Sequence, residues 1–294
     1  MAEIAFNTTS AEVNKPKRSY KSLFASGLKY LVILMLMVVI ISPFYISFLY
    51  SIKEPTEITV NRLAWPQNPT LNNFVEVIRE NEQFITGYKN TIITTIPTVI
   101  ILLITTSMAA YVLARNNSKF YKWMYTIFLT GILIPFQCLM LPLYLNFYNM
   151  DLTSNPIGFI IARAGLQISI SILVVTGFVK TVPKELEEAA LIDGCNQFQT
   201  FWKIVFPLMK PVNSTQLVLN SLFIWNDYNV AIVLLRSQES QTLPLAQIIY
   251  FNENTAYLNQ AFAFFTMAML PILILYLIMQ KHIVSGIMAG AVKG

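Results

Sequence analysis

Long apolar runs without charged residues dominate this sequence. The clearest extends from Tyr30 to Ile52 between two lysines, and the next two cover residues 90–114 and 123–150. Each run exceeds the roughly 20 residues that a helix needs to cross the hydrocarbon core of a bilayer. Charged residues make up only 12% of the chain, whereas soluble domains carry about 25%. The sequence therefore predicts a multi-span membrane protein and argues against a soluble enzyme.

Three further segments complete the predicted spans. Residues 157–179 are interrupted only by Arg163, residues 211–235 form the most polar segment, and residues 261–279 form the last. Arg163 is expected near the outer interface, where its side chain can extend to water. The first run is too long for the apolar core of a signal peptide, and no small-residue cleavage site follows it. The predicted fold class is an all-α integral membrane domain of six transmembrane helices.

The distribution of lysine and arginine predicts the orientation. Placing the N-terminus in the cytoplasm puts most of the 20 basic residues on the cytoplasmic side, as the positive-inside rule requires. Both termini are then cytoplasmic. The predicted organisation is a basic N-terminal segment (1–29), a six-span domain (30–280) with an outer loop (53–89) and a cytoplasmic loop (180–210), and a glycine-rich cytoplasmic tail (281–294).

Two details of the loops are also predicted. Residues 15–29 alternate basic and apolar side chains, so they form either an amphipathic helix on the inner membrane surface or a solvated basic leader. Residues 71–85 of the outer loop carry apolar side chains at near-helical spacing, which predicts a short helix on the outer face. The outer loop is too short to form an independent ligand-binding domain.

Several chemistries lack the residues that they need. His282 is the only histidine, which excludes a histidine-based zinc site and a Ser-His-Asp triad within the chain. Cys138 and Cys195 do not make a disulfide framework or a cysteine-rich metal site. The net charge of +5 lies mostly beside apolar runs, so it is interpreted as setting orientation and not as binding nucleic acid. No metal or cofactor is expected in this chain.

The cytoplasmic loop carries the strongest local signal. Pro183 suits the first turn of a helix, and the three glutamates that follow favour the positive end of the helix dipole. Gly194 can adopt the left-handed conformation that ends a helix. A short helix is therefore predicted over residues 183–193, followed by a second amphipathic stretch. On pattern alone, the loop is either a docking element or a hairpin that merely connects two spans.

The same loop resembles a known motif. Glu188-Ala189-Ala190, Gly194, Ile204 and Phe206-Pro207 have the spacing of the EAA loop of ATP-binding-cassette importer permeases, with Phe206 where leucine is usual. Other stretches resemble the carbohydrate-importer branch of the maltose-transporter type. These stretches are Trp225-Asn226-Asp227-Tyr228, which resembles Trp-Asn-Glu-Phe, the glycine-rich C-terminus from Gln280 to Gly294, and residues 70–74 and 89–91.

The resemblance implies a permease subunit that moves a di- or oligosaccharide across the cytoplasmic membrane. It implies a second, homologous permease, two copies of a cytoplasmic ATPase and an extracytoplasmic sugar-binding protein as partners, besides membrane lipid. The chain lacks a Gly-x-x-x-x-Gly-Lys-[Ser/Thr] motif, so it is not expected to be an enzyme, and ATP and Mg²⁺ are expected on the ATPase.

The resemblance also implies site residues. The EAA loop would couple the permease to the ATPase, and the tail would reach the ATPase dimer. The implied coupling residues are Glu188, Ala189, Ala190, Asp193, Gly194, Ile204 and Pro207, and the implied tail contacts are Gly290, Lys293 and Gly294.

The polar residues of the fifth predicted span are candidates for the transport path. Asp227 is the one acidic residue deep in an apolar run, and such residues are functional candidates. In one interpretation the segment 225–228 lines the path, with Trp225 and Tyr228 stacking on sugar rings and Asn226 and Asp227 binding sugar hydroxyls. Asn220, two helical turns earlier, is a second candidate. In the other interpretation Asp227 forms an outer gate or a structural hydrogen bond at a helix break.

Two other functions compete with a sugar permease. One is a permease for a non-sugar solute such as a glycerol phosphate, although no basic cluster occurs within the spans. The other is a secondary transporter of six-span halves, which would need ionisable groups near the membrane midplane. The first, second, third and sixth predicted spans contain none.

Overall fold

The computed structural model describes the backbone of residues 20–251 and 257–291, with side chains over residues 27–250 and 257–280. Over these residues the protein is helical and contains no β-strand. The α-helices are α1 Tyr20–Ser51, α2 Pro55–Val60, α3 Asn72–Glu80, α4 Glu82–Arg115, α5 Lys119–Thr130, α6 Phe136–Asn149, α7 Pro156–Val179, α8 Glu185–Ile192, α9 Gln197–Thr200, α10 Phe206–Leu208, α11 Lys210–Trp225, α12 Asn229–Leu234, α13 Leu243–Ala246 and α14 Leu258–Ala291.

The chain divides into two compact units at Ile46 and Ser47. The described part of the first unit is helix α1 up to Ile46, whose apolar side chains are exposed from Gly27 to Ile41. This helix covers the first predicted span as far as Ser51 and begins ten residues before it. Residues 1–19 of the basic N-terminal segment lie outside the described residues. The second unit contains all the other helices.

Among the described residues, four helices are long and apolar enough to cross a membrane, namely α1 from Gly27, α4, α7 and α14 up to Gln280. A fifth span results if Lys119–Leu133 and Phe136–Asn149 count together, but these two segments are bent by 101°. The third predicted span is therefore not one continuous helix. Pro135 explains the break, because it removes a backbone donor and forces Ile134 into extended geometry.

The fifth predicted span is also interrupted. Helix α11 ends at Trp225 after 16 residues, and α12 contains only six residues. Neither reaches the roughly 20 residues of a complete membrane crossing. The third and fifth predicted spans are therefore each divided into two helices, and the structure does not show six uninterrupted spanning helices.

Helices α4 and α7 pack against each other in the centre of the second unit. Val99 and Leu102 of α4 lie in one buried cluster with Phe159 and Ala162 of α7. Helix α4 also buries many hydroxyl groups. Thr94, Thr98 and Thr106 each donate to the carbonyl four residues earlier in α4. These buried hydroxyls are therefore satisfied by the backbone of their own helix.

The segment between α1 and α4 is fastened by a buried asparagine. Asn73 in α3 donates its amide to the carbonyls of Ser51 and Lys53, each at 2.8 Å, and accepts from Asn259 of α14. The helix predicted over residues 71–85 is shorter than expected and ends at Glu80. Asn81 separates it from α4 and caps α4 by accepting from the backbone N–H of Phe84.

The C-terminal segment belongs to a helix although it contains several glycines. Helix α14 continues to Ala291, so Gly286 and Gly290 of the predicted tail lie within it. Lys293 and Gly294 lie outside the described residues.

Candidate functional site

Helix α8 has a well-defined C-terminal cap and lies in the loop of residues 180–210, which we call the EAA loop for its resemblance to that motif. Gly194 has a φ of +87°. The N–H of Cys195 donates to the carbonyl of Ala190, and the N–H of Gly194 donates to that of Leu191. This pair of hydrogen bonds is the Schellman motif, so the predicted helix stop at Gly194 is confirmed. Helix α8 starts at Glu185, two residues later than predicted. Pro183 lies just before its N-cap residue Lys184.

Helix α8 presents most of its surface to solvent. Glu187 and Ala190 are its buried residues, whereas Glu188, Ala189 and Asp193 are exposed. Large apolar side chains are exposed as well: Leu186, Leu191 and Ile192, the last of them 85% exposed. These apolar side chains lie on different sides of one short helix outside the long apolar helices, and each is available for contact with another protein.

The second half of the loop is anchored on the helix bundle. Asn196 and Gln199 form a capping box that starts α9, and a π-helical turn follows at Phe201–Val205. Phe201 and Val205 are buried in a cluster with Ala110 of α4, Val175 and Val179 of α7, and Met209 and Val212. Ile204 is half-buried and Pro207 is exposed. The amphipathic pattern predicted for this stretch is therefore confirmed, with Phe198 remaining exposed.

Glu187 fastens α8 to the end of α4. Its Oε1 lies 2.7 Å from Nε and 2.6 Å from Nη2 of Arg115. Its Oε2 accepts a hydrogen bond from the Tyr111 hydroxyl at 3.1 Å. Sequence analysis missed this cluster, because adjacent glutamates look equivalent in the sequence and only tertiary contacts distinguish Glu187 from the exposed Glu188.

A buried ion pair holds the break between α11 and α12. Arg163 of α7 places Nε 2.8 Å from Oδ2 of Asp227, and the two side chains are only 11% and 9% exposed. Oδ1 of Asp227 accepts from the backbone N–H groups of Val230 and Ala231 in the first turn of α12. The expectation that Arg163 extends to water is therefore wrong. Arg163 and Asp227 partner each other, and Asp227 also caps a helix N-terminus, where a negative charge is favourable.

Asn220 lies in a different environment. It is 1% exposed, and its amide contacts Gln167 of α7 at 3.0 Å and Gln216 of α11 at 3.2 Å. Ser171 of α7 lies 3.4 Å away. This buried polar cluster connects α7 to α11, and it lies apart from the cleft described next. The structure therefore does not place Asn220 beside the segment 225–228.

Trp225, Asn226 and Tyr228 border one cleft of about 270 Å³ between α11, α13 and α14. Trp225 is mostly buried, and its indole N–H donates to the carbonyl of Ala268 at 3.0 Å, so its main contacts are structural. Asn226 and Tyr228 are exposed. The remaining lining side chains are apolar except Gln247, and none of the lining residues is charged. The cleft therefore offers aromatic and amide groups without a fixed charge.

Residues 106–288 match the family described as binding-protein-dependent transport system inner membrane component. This match contains α8, its Schellman cap and the broken helix α11–α12. The chain belongs to this family. It is a membrane transport component, and its long apolar helices are those of a permease integral to the membrane.

Three relatives of this permease cover nearly its whole length. The probable starch degradation products transport system permease protein AmyC of Thermoanaerobacterium thermosulfurigenes is 36% identical over 86% of this chain and 92% of its own length. The melibiose/raffinose/stachyose import permease protein MelC of Bacillus subtilis is 35% identical over 86% and 91%. The multiple sugar-binding transport system permease protein MsmG of Streptococcus mutans is 33% identical over 90% and 96%.

The fold of the permease also resembles solved structures. A bacterial ABC transporter involved in the import of the acidic polysaccharide alginate has a chain that matches with a TM-score of 0.80 and 25% identity, over 91% of this chain and 99% of that one. A bacterial alginate ABC transporter in complex with an alginate pentasaccharide-bound periplasmic protein matches with a TM-score of 0.66 and 18% identity, over 90% and 96%. The second likeness concerns the fold alone.

Proposed function

We propose that this permease is one subunit of an importer that moves a neutral di- or oligosaccharide across the cytoplasmic membrane. The main support is that three relatives covering at least 86% of the chain are permeases whose names refer to starch products, raffinose-type sugars or multiple sugars. ATP hydrolysis takes place on separate ATPase subunits, and an extracytoplasmic binding protein delivers the sugar. A second, homologous permease subunit forms the rest of the transport path.

The coupling site of this proposal is helix α8. Its exposed Leu186, Leu191 and Ile192 contact the ATPase, together with Glu188, Ala189 and Asp193. The Schellman cap at Gly194 fixes the angle at which the chain leaves this helix. Ile204 and Pro207 belong to the anchored half of the loop. The C-terminal residues Gly290, Lys293 and Gly294 are proposed to approach the same ATPase.

The chemistry of the cleft favours a neutral sugar. Asn226 and Tyr228 offer hydrogen-bonding groups and an aromatic face, and no charged residue lines the cleft. The nearby cation Arg163 is paired with Asp227, so it is not available for a phosphate or a carboxylate. A glycerol phosphate would find no counter-charge there.

The proposed topology has six membrane segments, with the two broken pairs α5–α6 and α11–α12 each counted once. Both termini and the EAA loop are cytoplasmic, and residues 53–89 are outside. Helices α5 and α6 bury none of their residues within this chain, so their surfaces are available to the second permease subunit.

Uptake by the reconstituted importer tests the function. The permease is expected to co-purify with an ATPase, and proteoliposomes that contain both are expected to accumulate labelled neutral oligosaccharide when ATP and the loaded binding protein are supplied. Glycerol phosphate and an acidic oligosaccharide serve as comparison substrates. Preferential uptake of either comparison substrate would contradict the proposed substrate class, and a permease that never retains an ATPase would contradict the importer assignment.

Reporter fusions test the topology. A reporter fused after Leu71 is expected to be extracytoplasmic and one fused after Asn116 cytoplasmic, because lysine and arginine concentrate in the loops assigned to the cytoplasm. Alkaline phosphatase and green fluorescent protein activities give opposite readouts at the two sites. Cytoplasmic activity at Leu71 would require a different number or direction of spans.

A further inference from the structure

Both carboxylate oxygens of Glu187 in helix α8 accept hydrogen bonds from side chains of α4. Arg115 occupies the last position of α4, and Tyr111 lies one helical turn before it. Together they hold both carboxylate oxygens of Glu187. Nη2 of Arg115 also donates to the carbonyl of Val182 at 2.9 Å, just ahead of α8. We call Tyr111, Arg115, Glu187 and the Val182 carbonyl the Glu187 cluster.

The Glu187 cluster is largely removed from water. The side chains of Arg115 and Glu187 are 12% and 10% exposed. Charge-assisted hydrogen bonds with two donors on one carboxylate are stronger and more specific in geometry than neutral ones. Salt screens a partly buried pair much less than an exposed pair. The cluster therefore resists both rotation and displacement of Glu187 relative to the end of α4.

Other contacts of the loop differ in kind. Phe201 and Val205 of the loop pack on α4 and α7 through apolar surfaces, which are not directional. Within α8 only Glu187 and Ala190 are buried. A movement of α8 therefore meets its main directional resistance at Glu187, and this resistance acts on the last turn of α4.

We propose that the Glu187 cluster is the link that passes movement of α8 to helix α4, with Arg115 and Tyr111 as positioning residues. This inference rests on the proposed function, in which α8 contacts the ATPase through its exposed face. Glu188 points to solvent and remains free for that contact, whereas Glu187 faces the bundle. Two adjacent glutamates thus have separate tasks, one toward the partner and one toward the membrane helices.

The test measures sugar transported per ATP hydrolysed in proteoliposomes with the partner ATPase and loaded binding protein. Arg115→Ala and Glu187→Ala are each expected to retain bound ATPase and hydrolysis but to lower this ratio about tenfold, within the range of coupling between linked sites. Arg115→Glu combined with Glu187→Arg is expected to recover much of the ratio. Glu185→Gln is the matched control, because Glu185 lies on the same helix and is exposed.

A milder variant keeps the test decisive if an alanine variant fails to insert. Tyr111→Phe removes one hydroxyl and retains the ring that lies 5.3 Å from the ring of Phe201, and it is expected to lower the ratio measurably with normal ATPase content. A wild-type ratio in Tyr111→Phe and in every inserted cluster variant would overturn the inference while leaving the proposed function intact. A wild-type permease that retains no ATPase would overturn both.

Discussion

Replacing Asp227 by alanine is expected to prevent most of the permease from accumulating in a folded form. The substitution leaves the buried Arg163 without a counter-charge and removes the acceptor for Val230 and Ala231 at the start of α12. Removing one partner of a buried ion pair costs about 3–5 kcal/mol. The measurements are the yield of monodisperse complex in detergent and the temperature at which half of it unfolds.

A pair of neutral substitutions separates the structural role of Asp227 from a role in binding sugar. Asp227→Asn and Arg163→Gln are each expected to lower the unfolding temperature, because each leaves the other charge unpaired. The double variant is expected to be more stable than either single variant, since it removes both charges.

The double variant also decides between the two interpretations of Asp227. If the carboxylate only holds the helix break, the double variant recovers uptake together with stability. Recovery of stability without uptake would instead assign Asp227 to the transport path. Additive losses of stability in the double variant would contradict the ion pair itself.

The second large effect is expected at Gly194. Gly194→Val places a β-branched residue at φ +87°, a conformation that costs a residue with a Cβ about 1–2 kcal/mol. Apart from the two neighbouring residues in the chain, nothing lies within 4 Å of the added Cβ, so the strain comes from the backbone conformation. The Schellman cap is expected to open and to redirect the chain from α8 into α9. The permease is expected to insert normally and to lose most ATPase binding or sugar-stimulated hydrolysis.

Two comparison variants sharpen this test. Gly194→Asn is the matched control, because asparagine adopts the left-handed conformation more readily than other residues with a side chain. Ala189→Asp keeps the cap and places a charge on the exposed face of α8, so it is expected to impair ATPase binding without changing the unfolding temperature. Normal stimulation in both Gly194→Val and Ala189→Asp would reduce the EAA loop to a connector.

The sequence predicted the features that depend on local signals. A glycine after a helical pattern sufficed for the stop at Gly194, and apolar length sufficed for α1, α4, α7 and α14. The resemblance of residues 188–207 to the EAA loop led to the family that the comparison then identified. Each of these features is determined within a few turns of chain.

The features that it missed depend on residues far apart in the chain. Arg163 and Asp227 each looked like a lone charge in an apolar segment, and only the packing of α7 against the break brings them together. A signal was present, because two opposite charges within apolar segments tend to pair. Glu187 gave no such signal beside Glu185 and Glu188. The 101° bend at Pro135 was also missed, since a proline indicates that a helix breaks but not the angle of the break.

The threonines of α4 affect how this helix can move. Because Thr94, Thr98 and Thr106 bond to the backbone of their own helix, their hydroxyls need no partner on α7. Along the apolar contact of Val99 and Leu102 with Phe159 and Ala162, a small axial displacement exchanges van der Waals neighbours and breaks none of these hydrogen bonds. Packed helices in other proteins use such sliding, or shear, to change state. The contact of α4 with α7 thus contains no hydrogen bond from these three threonines that a shear would have to break.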